Sequence, residues 1–339
     1  MKNMKKVFAA VLSLMLLSAA LIPGAALAEN KTIRVVTTIF PIYDWVREIL
    51  GDNAENADLT MLLDSGSDLH NYQPTAQDIL KIATADLFIY VGGESDGWVD
   101  AVLKTATNPD LQAISLVEAL GEGIKAEEIV EGMEHEHEHD HEDEDEDHDH
   151  DHEHEHEEEE EEVDEHVWLS LRNAQVLCQA IAEALQNIDP DNAELYQSDL
   201  IAYNAQLIAL DKAYEEMVAA APVKTVLFGD RFPFRYLADD YGLTYYAAFS
   251  GCSAESEASF QTILFLAQKV DELDLPAVMT IENPKGRIAE TVVAATAKKN
   301  QKILSLDSLQ SVTAQDVKAG VSYLAVMESN LNVLKEALN

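Results

Sequence analysis

The sequence predicts an α/β protein of two lobes joined by one long helix. Three observations carry that prediction. From residue 32 onward, short apolar runs alternate with helical patterns, the order expected of parallel sheets covered by helices rather than of a sandwich. One amphipathic stretch near residues 192–220 is longer than a small lobe needs for itself. The chain has 339 residues and 47% apolar content, enough for two cores, which excludes simple disorder.

In the first lobe, residues 32–38 read as a strand, 42–50 as a helix and 58–63 as a strand. A helix over 75–83, a buried strand over 86–91, a helix over 98–105 and a strand over 111–116 complete it. An amphipathic helix over 172–187 stops at Asp189-Pro190, and Asp191 with Glu194 three residues on reads as a capping box. Tyr196, Leu200, Tyr203, Leu207, Leu210, Tyr214 and Met217 then recur at spacings of four and three, on one face of a helix over 192–220. Such a helix is about 40 Å long at 1.5 Å per residue and can join two lobes. Past Pro222, strands over 224–228, 243–247, 277–281 and 302–306 alternate with helices over 232–240, 256–273, 288–299 and 314–337. The expected limits are a leader 1–28, a first lobe 29–188, a linker helix 189–221 and a second lobe 222–339.

The leader is read from Lys2, Lys5 and Lys6, an apolar run over 7–22, Pro23-Gly24 and the small-residue pattern Ala26-Leu27-Ala28, which together have the form of an export signal cut after Ala28. The run falls short of the ~20 residues of a membrane span, and no other segment is long and apolar enough to make one. Export to a periplasm, cell surface or extracellular space is therefore expected. Cys178 and Cys252 do not lie at the end of the leader, so no lipid-anchoring cysteine is expected there. In an oxidising compartment the two can close one disulfide, although the sequence sets no distance between them.

Net charge is −41, from 22 Lys+Arg against 63 Asp+Glu, and about half of it lies in one run. Residues 134–162 hold 20 carboxylates and nine of the eleven histidines: His135, His137, His139, His141, His148, His150, His152, His154 and His156. This surface repels phosphate backbones and anionic headgroups, so nucleic acid is excluded as a partner and a cation is favoured. Without apolar residues between Met133 and Val163 the run cannot pack, and 133–163 is expected to be a disordered, mobile loop that collects metal weakly.

Outside the run stand His70 and His166. Ligands of open parallel sheets bind beyond the carboxyl ends of the strands. His70 follows the second strand, Asp230 follows 224–228, Glu282 follows 277–281, and His166 leads from the acidic run into a helix. Two imidazoles and two carboxylates make a first shell suited to zinc or manganese. The plainer reading is a solvated histidine and carboxylates that cap helices, as Asp230 would for a helix starting near Phe232.

His70-Asn71-Tyr72-Gln73-Pro74-Thr75 with Asp78-Ile79-Leu80, and His166-Val167-Trp168-Leu169-Ser170, resemble the first and second metal-ligand motifs of the substrate-binding proteins of zinc and manganese ABC transporters. Phe40-Pro41-Ile42, the His-rich acidic loop, the long helix, the segment from Tyr236 to Leu243 and the segment from Ser253 to Ser259 extend the resemblance across the mature chain. It implies two Rossmann-like α/β lobes joined by a long rigid helix, with the metal in the interlobe cleft, little hinge closure, and delivery to a cognate membrane permease. Where that family places a third ligand, this chain reads Gly229-Asp230-Arg231-Phe232-Pro233, and counting back from Tyr241-Gly242-Leu243 puts Arg231 on the position. Arginine cannot bind a cation, so Asp230 is the expected substitute, with Glu282 in Thr280-Ile281-Glu282-Asn283-Pro284 as fourth ligand.

The expected function is an exported receptor that captures Zn2+ for import, with Mn2+ the alternative cargo, acting as a monomer with no membrane span in the mature chain. An exported metal-storage protein is the second reading, and deletion of 134–162 separates the two. A zinc hydrolase lacks its His-Glu-x-x-His helix here, so no enzyme is expected.

Overall fold

The computed structural model describes residues 32–133, 162–253, 257–284 and 287–339. The expected leader cleavage site and the nine histidines of the acidic run lie outside them. Among the described residues no helix is long and apolar enough to cross a membrane.

Two four-stranded parallel sheets form the frame. The first comprises β1 (Ile33–Thr37), β2 (Ala57–Met61), β3 (Leu87–Tyr90) and β4 (Gln112–Ser115) in the order β2-β1-β3-β4. Val35 stands opposite Leu59 on one side and Leu87 on the other. The second comprises β5 (Thr225–Phe232), β6 (Thr244–Ser250), β7 (Ala277–Ile281) and β8 (Lys302–Leu306) in the equivalent order β6-β5-β7-β8. In both sheets the order reverses beside the first strand, which opens a crevice at the carboxyl ends of its neighbours.

Helices α1 (Phe40–Leu50), α2 (Ala76–Ala83), α3 (Val99–Leu103), α4 (Leu116–Leu120) and α5 (Leu171–Ile188) belong to the first lobe. Pro41 in the first turn of α1 presets helical φ, and Phe40, Ile42, Trp45, Val46 and Ile49 make its buried face. Thr75 and Asp78 form a reciprocal capping box at α2. The long helix α6 (Ala193–Ala220) has 28 residues, about 42 Å. Its buried face is the one expected, with Val218 buried in place of Met217. Its N-cap is Asn192 with no side-chain hydrogen bond, so the Asp191–Glu194 box does not form; Pro190–Asn192 make a 310 turn instead.

The second lobe carries α7 (Arg235–Tyr241), α8 (Phe260–Glu272), α9 (Ile288–Ala295), α10 (Ala314–Lys318) and α11 (Tyr323–Ala337). The single helix expected over 314–337 is two, because Gly320 takes φ +93°, outside the helical region. The second piece, α11, packs on β7 and β8 but also returns to α1 and α6. Tyr323 at its start donates its N–H to Asp44 Oδ2 at 2.7 Å, packs edge-on against Trp45 at 5.1 Å, and donates its hydroxyl to the Trp168 carbonyl at 2.7 Å.

One hydrophobic cluster runs through both lobes, from Val35, Trp45 and Phe88 through Leu177, Tyr203 and Tyr214 to Phe228, Met279 and Tyr323. A smaller one lies under α8 and α9 on the other face of the second sheet. Strand β5 alternates between them: Val226 and Phe228 face the shared core and Leu227 the smaller one, as the period of two requires. Burial of this continuous core, at roughly 25 cal/mol per Å² of apolar surface, resists relative motion of the lobes.

Candidate metal centre

His166 arrives at the cleft on the 310 turn Val167–Leu169, which Ser170 ends by capping α5 through the Asn173 N–H at 3.0 Å. Trp168 fixes that turn. Its side chain is buried and its indole N–H donates to the Ser308 carbonyl of the second lobe at 2.9 Å. His166 is fully buried, and Asp164 Oδ1 lies 2.9 Å from its backbone N and 3.0 Å from Nδ1. A carboxylate only accepts, so Nδ1 carries the proton and Nε2 presents a lone pair.

His70 stands on the 310 turn Leu69–Asn71, capped by Asp68 through the His70 N–H at 3.1 Å. Its Nδ1 lies 2.8 Å from Ser95 Oγ and 3.5 Å from Glu165 Oε2. Glu165 in turn accepts the Ser95 N–H at 2.8 Å. Burial raises the Glu165 carboxyl above its usual range against the lowering effect of the Ser95 bonds. The two histidines meet with Nε2 atoms 3.2 Å apart. Two nitrogens of a tetrahedral zinc at about 2.05 Å each are about 3.3 Å apart, so the pair is spaced as ligands.

A third ligand-type atom joins them. Among the described residues, ligand atoms of His70, His166 and Cys252 all lie within 4.8 Å of one another. Cys252 was expected only as a disulfide partner. The strand was expected to end at Ala247, but β6 runs on through Ala248 and Phe249 to Ser250 and delivers Gly251 and Cys252 to the cleft. Burial pushes the thiol well above its ordinary value, and Glu127, Asp164 and Glu165 add to the rise. The disulfide is not formed. Both cysteines are free, Cys178 being wholly buried on α5 in the first lobe and Cys252 standing in the cleft.

Asp230 and Glu282, expected as third and fourth ligands, are not in that group. Strand β5 continues through Asp230 to Phe232 with a register shift between Phe228 and Arg231. Asp230 therefore caps no helix. Its carboxylate accepts the N–H of Arg231 at 2.9 Å and of Ile281 at 3.3 Å, standing in for ladder partners where β5 and β7 part. Glu282 accepts the Ser308 N–H and hydroxyl, each at 2.7 Å, and the Ser311 hydroxyl at 3.2 Å. Both residues line an adjoining cavity of about 200 Å³ together with Asp68, Arg231 and Gln310. Arg231 crosses the cleft to pair with Asp68. Burial raises the Asp68 carboxyl, but the Arg231 guanidinium outweighs it and holds the group below its usual value.

A family described as ZnuA, zinc-uptake complex component A, periplasmic, matches residues 35–337. The zinc-binding lipoprotein AdcA of Streptococcus pneumoniae is 32% identical over 333 residues, 98% of this chain and 61% of AdcA. The chain thus spans less than two thirds of that relative, and its lipoprotein name stands against the expectation of no lipid-anchoring cysteine. The high-affinity zinc uptake system protein ZnuA of Bacillus subtilis is 30% identical over 315 residues, 93% of this chain and 90% of that protein. The crystal structure of the Zn(II)-bound ZnuA-like domain of S. pneumoniae AdcA superposes with a TM-score of 0.67 at 28% identity, covering 91% of this chain and 99% of that domain. With two parallel-sheet lobes, the long helix and a family match over nearly the whole described chain, the protein belongs to the family of periplasmic zinc-uptake component A proteins.

Proposed function

We propose that the chain is an extracytoplasmic receptor that holds zinc in the cleft between its lobes and hands it to the membrane permease of an ABC importer, acting as a monomer. The observation that carries this reading is the facing pair of imidazole nitrogens, 3.2 Å apart, each with its other ring nitrogen braced by a carboxylate or hydroxyl. Neutral nitrogen donors favour zinc over manganese in the order of divalent affinities, and the names of the relatives agree. An uptake component performs no covalent chemistry, which supports a receptor rather than an enzyme.

His70 and His166 are the ligands of this reading. Asp230 and Glu282 supply negative charge from the wall of the neighbouring cavity. The nine histidines of the acidic run raise the local ion concentration by repeated weak encounters, an effective-concentration effect. Because an imidazole must be neutral to bind, affinity falls on acidification.

Calorimetric titration of zinc into the mature chain lacking residues 134–161 tests the reading. That deletion spares Glu162, whose carbonyl accepts the Glu127 N–H at 2.7 Å. One tight equimolar site, lost in His70→Ala, is expected. Loss of all tight binding with the run would make the protein a store whose lobes are a carrier.

A further inference from the structure

We propose that Cys252 is the third protein ligand of the cleft, so that the cargo is taken by two imidazole nitrogens and one thiolate. This rests on the receptor reading and goes beyond it in naming the donor set and hence the class of cation favoured. The position at which the family resemblance places a third ligand is closed: Arg231 occupies it, is itself buried, and pairs with Asp68, the residue that caps the His70 turn.

The chain is built to bring the thiol to the histidines. A Cβ on Gly251 would lie 3.0 Å from the Phe232 carbonyl and 3.1 Å from both Cε1 and Nδ1 of His166, tighter than ordinary contact, so the turn lies against the imidazole because it has no side chain there. The next residue is tied down: Cys252 N–H donates to Glu127 Oε1 at 3.0 Å. In a tetrahedral zinc site with Zn–S about 2.3 Å and Zn–N about 2.05 Å, sulfur and nitrogen are about 3.6 Å apart. The three ligand atoms already lie within 4.8 Å of one another, so a shift of about 1 Å or less closes the site.

Asp230 and Glu282 stand outside this group and accept N–H and O–H donors. On binding, the S–H bond breaks, a metal–sulfur bond forms and the proton leaves to solvent; no electron is transferred. Three protein ligands leave one position open, which suits a carrier that must release its cargo. A thiolate shifts preference toward zinc and cadmium and away from manganese.

Cobalt(II) titration of the full-length mature chain, followed by absorption, tests this. The acidic run contains no cysteine, and Cys178 is wholly buried, so a sulfur-to-cobalt charge-transfer band in the near ultraviolet reports Cys252. The expected result is a band that saturates at one equivalent, disappears on adding zinc, persists in Cys178→Ala and is absent in Cys252→Ser. Zinc affinity of Cys252→Ser should fall by about 100-fold, with manganese affinity changed much less. One tight cobalt site without the band would remove the thiolate from the shell and leave the receptor reading standing. No tight cobalt site in the unaltered chain would overturn both.

Discussion

The two sheets repeat one strand order, yet the lobes use the carboxylates at their crevices in opposite ways. In the first lobe, Asp164 and Glu165 brace imidazoles, so that His70 and His166 turn their Nε2 atoms toward each other in the cleft. In the second, Asp230 and Glu282 brace backbone: one replaces ladder partners at the end of β5, the other ties down the turn after β8 whose Ser308 carbonyl receives the Trp168 indole. Each of the four carboxylates accepts a backbone N–H, so the lobes differ in whether an imidazole is braced as well. In the proposed site the first lobe supplies the two imidazoles, and the second supplies a wall, a lock between lobes and, at Cys252, a sulfur.

The largest effect that sharpens this contrast is expected from His166→Ala. Spreading the ~10–16 kcal/mol of a structural zinc site over four ligands gives about 3–4 kcal/mol each, so zinc affinity should fall several-hundredfold in calorimetry. An equal loss from Asp230→Ala would break the comparison.

Next come two buried acids, one behind each half of the cleft. Burial pushes both Asp96 in the first lobe and Asp307 in the second up to about 6, with Glu165 adding to the first and Glu282 to the second. A folded-state value above the unfolded one means that the native protein holds extra protons, so the contribution is fully present below pH ~4 and is lost as pH rises through ~6, up to about 3 kcal/mol per group. Asp96→Asn and Asp307→Asn should each reduce the fall in urea-unfolding stability between pH 4 and pH 7. A variant that keeps the whole fall would place its proton elsewhere.

Glu282→Ala ranks third. It strands the Ser308 N–H and two hydroxyls, at a cost of about 2 kcal/mol in stability, while zinc affinity should move less than in His166→Ala. The smallest effect is expected from Asp164→Asn, which keeps an acceptor for His166 Nδ1 but removes its charge. About 10-fold weaker zinc binding with unaltered stability is the expected outcome.

Much of this was legible in the sequence because it is written in period and spacing. The alternation fixed both lobes, and the four-and-three recurrence from Tyr196 to Tyr214 fixed the long helix and its buried face. His70 and His166 stood out as the two histidines outside the acidic run and on motifs that carry the family resemblance, and the structure brings their Nε2 atoms 3.2 Å apart. What was hidden depended on hydrogen bonds between distant segments. Nothing local says that Asp230 answers Ile281 or that Glu282 answers Ser308, separated by 51 and 26 residues. Cys252 was missed for a related reason: β6 runs to Ser250, paired with β5 out to Phe232, and the approach of the following residues to His166 is a contact between distant segments. The Trp168 link to Ser308, 140 residues away, shows the same limit.

The most direct test is anomalous diffraction at the zinc edge from crystals of the zinc-loaded mature protein. A single cleft peak about 2.0–2.1 Å from Nε2 of both His70 and His166 is the predicted result. A peak seated instead between Asp230 and Glu282 in the adjoining cavity, away from both imidazoles, would contradict it.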